Sequence, residues 1–247
     1  MERNLAATRA RAQDYILAGR VTVDGKTVTK CGATLSETQE VRVLAPPLEY
    51  VSRAGHKLAA ALDRWQIDLS DRVCLDIGTS TGGFADCMLR RGARLVFGVE
   101  NGHGQLAASL RTESRMQLLE RANARHLTPA MLPPGIDFFA MDVSFISATL
   151  VLPAVIAAAF APALERGAAS RVEAVILIKP QFEAGRAAVG KHGIVTSRAA
   201  QRKSIERVRE CLVSHGARLT EWMESPILGG DGNREFLLYA RWDDARP

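Results

Sequence analysis

The chain lacks any pair of cysteines at C-x-x-C spacing. Cys31, Cys74, Cys87 and Cys211 stand apart, and no histidine lies at zinc-finger distance from them. That excludes a zinc module or a redox dithiol of the usual spacing and leaves four free thiols, as a reducing cytosol would keep them. The N-terminus is polar and has no apolar run of signal-peptide type, so a cytoplasmic protein is expected. No internal repeat or low-complexity tract is present, which argues against a solenoid or a disordered array. Charge is missing from one stretch, Val143 to Leu164, long enough to span a bilayer. It contains Pro153, Pro162, Ser144, Ser147 and Thr149 and much alanine, so a buried helix of a sheet domain is the expectation, without stable membrane insertion.

What is there suits a soluble α/β protein. Its 247 residues are enough for one large domain and a small module, and 47% of them are apolar, enough for a sizeable core. The net charge of +5 fits a partner rich in phosphate, although charge alone is weak support.

Residues 1–45 read as a small unit. A helix is expected from Thr8 to Ala18, stopped by Gly19, then strands at Val21–Val23 and Thr27–Thr29 around an Asp24-Gly25 turn, and another at Val41–Leu44. Pro46-Pro47 marks a linker over 46–50. Over 51–247 the pattern alternates strand and helix, as a parallel sheet requires. Strands are expected at Val73–Ile77, Leu95–Val99, Gln117–Leu119, Phe138–Met141 and Ala174–Ile178, with two late ones near 217–223 and 235–241. A helix is expected over Gly83–Arg91, and another carries Ile205, Val208, Cys211 and Leu212 as an apolar stripe. The Gly-rich segment 183–197 reads as a mobile loop.

Asp76-Ile77-Gly78-Thr79-Ser80-Thr81-Gly82-Gly83-Phe84 joins a strand to a helix. Its glycines allow a tight turn and close approach to a ligand. Glu100 ends the next strand, where a carboxylate can accept both hydroxyls of a ribose. The spacing is not the G-x-G-x-x-G of a dinucleotide site. An acid at the start of the loop repels pyrophosphate and suits the ammonium of a methionine moiety. S-adenosylmethionine is therefore favoured over a nicotinamide dinucleotide, with a plain strand–helix turn as the bland alternative.

Lys179, held extended before Pro180, and Asp142 both stand at the C-terminal ends of strands, where open α/β sheets bind ligands. Lys57 lies at the start of the large domain and Glu235 just before the last strand. A hydroxyl acceptor must lose its proton, and a lysine can take it if a second ammonium and desolvation lower its pKa. Each residue alone could equally be a surface ion pair.

Several stretches together resemble the TlyA family (historically labelled haemolysin A), related to the FtsJ type of RNA methyltransferases. They are Val51-Ser52-Arg53-Ala54-Gly55-His56-Lys57-Leu58, Leu75 to Phe84, Gly104-Gln105-Leu106, Asn123-Ala124-Arg125, Asp142-Val143-Ser144-Phe145-Ile146-Ser147, Lys179-Pro180-Gln181-Phe182-Glu183 and Gly232-Asn233-Arg234-Glu235-Phe236. The resemblance covers nearly the whole chain, in order. It implies a Rossmann-like methyltransferase domain with a seven-stranded, mostly parallel sheet, and an N-terminal S4-type RNA-binding module. It implies 2′-O-methylation of ribosomal RNA, with ribosomal subunits as partners, and a tetrad falling on Lys57, Asp142, Lys179 and Glu235. It also implies cofactor contacts at Asp76, Gly78, Ser80, Gly82, Gly83, Phe84, Glu100 and Asn123.

RNA contacts are expected at Arg9, Arg11, Arg20, Lys26, Arg53, Arg186 and Lys191, with Lys30 adding charge. A solvated basic face is the plain alternative. The chain departs from the family at its start: Met1-Glu2-Arg3 stands where other members have already completed a first helix, so a truncated S4 module is expected. Rival readings are a nicotinamide-dependent oxidoreductase, a membrane-active haemolysin and an RNA-binding factor without catalysis.

Overall fold

The computed structural model describes residues 5–6, 9–36, 38–44, 49–160 and 172–242. The chain forms two compact units, residues 1–53 and 54–247. The reading of the chain's start falls on Met1–Asn4, outside the described residues.

In the first unit, α1 (Arg9–Leu17) precedes β1 (Val21–Val23), β2 (Lys26–Val28) and β3 (Val41–Val43). The strands pair antiparallel in the order β2-β1-β3. Asp24 and Gly25 both have positive φ, 49° and 77°, the combination a two-residue hairpin turn of matching twist demands. Val21 and Val23 are buried.

The second unit carries β4 (Val73–Ile77), β5 (Leu95–Val99), β6 (Met116–Leu119), β7 (Ile136–Met141), β8 (Glu173–Ile178), β9 (Leu219–Glu224) and β10 (Phe236–Arg241). Their order is β6-β5-β4-β7-β8-β10-β9. The first five pair in parallel, while β10 runs antiparallel to both β8 and β9. The main helices are α2 (Ala54–Arg64), α3 (Gly83–Arg90), α4 (Leu152–Ala159) and α5 (Arg198–Ser214). Strand alternation sends Leu75, Ile77, Phe139 and Met141 to one face, where they pack in one core with Leu152, Val155, Ile205 and Val208 of α4 and α5. β8, fully buried along its length, reads as an unbroken apolar run after Glu173, as a central strand should.

The chain leaves β4 for β5 on one side and later returns to β7 on the other, so the β4/β7 junction is the topological switch point where open sheets bind ligands. The strands lie where the apolar runs place them, with ends moved by one or two residues. α2 is an addition to the expected elements. The segment 183–197 is not featureless: Glu183 closes a one-turn helix over Pro180–Glu183, and short turns form at Arg186–Ala188 and Lys191–Gly193. The uncharged stretch gives the eight-residue α4, and its last residues lie outside the described ones. Among the described residues no helix is long and apolar enough to cross a membrane.

Candidate active site

A cleft of ≈ 620 Å³ opens at the switch point. That is within the usual range for a small-molecule site. Gly78, Ser80, Glu100, Asn123 and Asp142 line it, as does Gln105. Gly78 has φ 84°, and a Cβ there would fall 2.3 Å from the carbonyl oxygen of Asp142. Only glycine lets these two loops meet. Glu100 accepts hydrogen bonds from the Ser80 amide at 2.9 Å and the Gly102 amide at 2.6 Å. An ionised carboxylate has about four acceptor positions, so capacity remains for ribose hydroxyls. The Asn123 side-chain oxygen accepts from the Arg125 amide at 3.1 Å and caps the turn at the cleft's far wall.

Other expected cofactor residues stand behind the cleft. Gly82, Gly83 and Phe84 are buried at the start of α3 and do not line it. Asp76 is fully buried, and neither carboxylate oxygen has a hydrogen-bond partner. It lies on the strand face opposite Leu75 and Ile77, near the Ala85 amide of α3. Burial, with Asp142 and then Glu100 adding repulsion, pushes its carboxyl up to about 8. Direct contact with a cofactor ammonium, as the sequence suggested, does not follow from this placement. Asp76 is not among the residues lining the cleft, and with its pKa raised to about 8 it is mostly protonated at neutral pH.

Beside the cleft the structure brings all four tetrad residues together. Lys57, in the first turn of α2, is 6% exposed and meets Glu235 Oε2 at 2.5 Å. Glu235 sits just before β10, and a Cβ at Gly229 would lie 2.4 Å from its Oε1, so a glycine there makes the room. Lys179 follows β8 and meets Asp142 Oδ1, just past β7, at 2.6 Å. β7 and β8 are parallel neighbours, which sets these two ends side by side.

Burial pushes the Asp142 carboxyl up, yet the Lys179 and Lys57 ammoniums outweigh it and hold it below the ordinary range. Burial pushes Lys179 down, and Asp142, with Glu235 and Asp231 behind it, outweighs that and raises it. The sequence-based expectation of a lowered lysine pKa is therefore reversed. Lys179 has a carboxylate in contact, and that attraction exceeds the cost of burying the ammonium.

Sequence reasoning passed over three further side chains. Ser144 accepts a hydrogen bond from Lys179 Nζ at 2.7 Å. Glu183 accepts from Ser147 Oγ and from the Ala148 amide, both at 2.6 Å. Asn233, 1% exposed, accepts from the Val195 amide and donates to the Gly193 carbonyl, both at 2.9 Å, so it pins the end of segment 183–197. All three lie in motifs that signalled the family, but only the fold shows their partners.

Phe145, with φ 65° and 92% exposed, stacks obliquely on Phe182 with centroids 5.5 Å apart. The two rings line a second cleft of ≈ 670 Å³ with Arg186 and Arg207. Of the expected RNA contacts, Arg186 is exposed on this cleft, and Lys191 is exposed without lining it. In the first unit Arg9 and Lys26 are exposed and Arg20 is half-buried. Arg53, mostly covered, pairs with Asp14 at 3.2 Å. The side chain of Arg11 lies outside the described set.

Comparison with known proteins agrees with the geometry. The FtsJ-like methyltransferase model matches residues 50–242, and the S4 domain model matches residues 2–41. A Bacillus subtilis protein carrying an rRNA methyltransferase name is 40% identical over 98% of this chain and 83% of its own. The 16S/23S rRNA (cytidine-2′-O)-methyltransferase TlyA of Mycobacterium tuberculosis is 39% identical over 98% of this chain and 87% of its own. A solved structure from Streptococcus thermophilus that bears the hemolysin name superposes with a TM-score of 0.75. It is 36% identical and covers 99% of this chain and 86% of its own. The chain belongs to the FtsJ-like methyltransferases and, among them, to the TlyA group that joins this domain to an S4 domain.

Proposed function

We propose that this chain is an S-adenosylmethionine-dependent methyltransferase acting on ribose 2′-hydroxyls of ribosomal RNA. The observation that carries this reading is the double lysine–carboxylate contact, Lys57–Glu235 and Lys179–Asp142, beside a cleft of nucleoside size. The name of the Mycobacterium tuberculosis relative supports cytidine 2′-hydroxyls of rRNA as the acceptor class. On this reading residues 1–45 bind RNA, 46–50 link, and 51–247 catalyse, on ribosomal subunits in the cytoplasm.

The cleft residues fit the cofactor. Glu100 offers acceptors for a ribose, Gly78 keeps the floor open, and Asp76, two residues before Gly78, keeps a fully buried carboxyl at the end of β4. When bound, S-adenosylmethionine supplies an electrophilic methyl group. The chain's own residues place the acceptor. Lys179, as an ammonium, donates a hydrogen bond to the ribose oxygen, and in its neutral fraction Nζ takes the hydroxyl proton. Asp142 and Ser144 hold two of its directions and leave a third for substrate. Lys57 and Glu235 satisfy each other in a buried pair and screen the second side. Phe145 offers an exposed ring on which an unpaired base can stack. Arg186 and Lys191, both exposed, are cations that phosphates can contact.

The test is mass-spectrometric or primer-extension mapping of rRNA after incubation with ribosomal subunits and S-adenosylmethionine. A new 2′-O-methylated ribose is expected with the native chain. In Lys179→Ala, methyl transfer should fall by roughly 10²- to 10⁴-fold while cofactor binding persists. Near-native transfer by that variant would remove Lys179 from the chemistry.

A further inference from the structure

The loops that follow β7 and β8 run side by side and are joined three times. Asp142 and Ser144 contact Lys179 Nζ at 2.6 and 2.7 Å. Phe145 packs on Phe182. Ser147 and Ala148 then bond the two oxygens of Glu183. The pairs follow the same order along both loops, as parallel neighbours allow. Lys179 caps the one-turn helix that Glu183 closes, and the Phe182 amide donates to the Lys179 carbonyl at 2.9 Å. Any shift of Glu183 therefore passes along this short turn to the lysine.

We propose that Glu183 is a positioning residue. Its carboxylate accepts from Ser147 Oγ and the Ala148 amide and so locks the 142–148 loop in the register at which Asp142 and Ser144 hold Lys179. Glu183 is 4% exposed and does not line the cofactor cleft. Its backbone carbonyl accepts from Arg207 Nη1 at 3.1 Å, which ties the same turn to α5. Burial raises its pKa against the two hydrogen bonds and the Arg207 charge, so an ionised carboxyl is a costly choice for a simple staple. Two acceptor atoms of fixed spacing, aimed at two donors of the loop beside the lysine, account for a group of this length. The inference rests on the methyltransferase reading of the Lys179 site.

Variants of different reach and charge test it. Glutamine keeps the length, can accept from the Ala148 amide and can donate to Ser147 Oγ. Aspartate is one carbon shorter and alanine has no polar group. Expected are kcat losses of about 10- to 100-fold in Glu183→Ala and Glu183→Asp, with KM for subunit RNA within about threefold of native and Glu183→Gln near native. A staple that served stability alone would leave the pH profile of the surviving enzyme untouched. Here the rising limb of kcat should move to lower pH in the alanine and aspartate variants. The groups facing Lys179 are Asp142, Glu235 and Asp231, and loosening the first of them lowers its pKa.

Native kcat and limb in Glu183→Asp, the variant expected to fold, would overturn the proposal. A Glu183→Gln variant as impaired as alanine would overturn it too, since charge rather than geometry would then matter. Hydrogen exchange at the Ala148 amide reads the clamp without catalysis: slow in native and Gln proteins, at least tenfold faster in Ala. If the native chain transfers no methyl group, the methyltransferase reading fails, and this exchange pattern still decides the clamp.

Discussion

Lys179 carries opposing demands. As an ammonium beside Asp142 and Ser144 it is well held, and as a base it must be neutral. Because Asp142 keeps its pKa above the usual lysine value, only a small neutral fraction exists near neutrality. The rate of methyl transfer should therefore climb with pH through the alkaline range without a plateau near 8. Asp142→Asn removes the charge that raises the lysine, so its rising limb should move to lower pH while the maximum falls about 10- to 100-fold. A pH–kcat series on both proteins checks this, and a limb that stays in place would contradict the assignment. Asp76 gives a second residue-scale prediction, on stability. Its folded pKa of about 8 lies above the unfolded value, so the native state holds an extra proton between roughly pH 4 and 8. Stability from this group is greatest at low pH and is lost as pH rises through that window. Asp76→Asn abolishes the proton and its pH dependence. The melting temperature of the variant relative to native should rise from pH 5 to pH 9, and a constant difference would show that the carboxyl does not titrate there.

At the scale of elements, β4, β5, β7 and β8 could be read in advance because each is a mainly apolar run ended by glycine or a charged residue. The α2 helix could not, since Gly55, His56 and Lys57 open it and the motif drew attention away from Leu58, Ala59, Ala61 and Leu62, which form its buried face. Asp142, Lys179 and Glu235 were visible beside strand ends and Lys57 through its motif, but not the pairing: Lys57 and Glu235 are 178 positions apart, a distance no local pattern spans. The same limit hid the polar cluster at the opposite end of the sheet. There Arg72 meets Asp137 of β7 at 2.9 Å and Glu173 of β8 at 2.6 Å, and the Tyr239 hydroxyl of β10 donates to Glu173. Three strands and the residue that leads into β4 are thus pinned at the end away from the chemistry. With Glu173 fully buried, Arg72→Met removes the guanidinium that Glu173 and Asp137 share and should cost about 3–5 kcal/mol in denaturant unfolding. The folded fraction should keep native kcat. A loss in kcat without a loss in stability would mean the cluster reaches the site.

For the whole molecule, the two compact units divide the work on the proposed reading. Residues 54–247 contain the cleft and all four tetrad residues, so they can do the chemistry. The first unit adds exposed basic residues, none of its described residues lines the cleft, and on this reading it contributes to affinity. Phosphate contacts displace counterions, so each one lost should weaken binding and flatten the salt dependence by roughly 0.7–0.9 in the log–log slope. Arg9 and Lys26 are the exposed pair to remove, and both belong to the first unit, whereas the tetrad belongs to the second. Arg9→Ala with Lys26→Ala should raise KM for subunit RNA several-fold and reduce the salt slope by about 1.4–1.8. At saturating RNA kcat should stay native, because a contact equally strong in ground and transition states alters binding alone. KM measured across a salt series in native and doubly substituted proteins decides it. If kcat falls instead while the slope is unchanged, the first unit does not merely hold RNA but helps set the acceptor in place, and the division between the units is wrong.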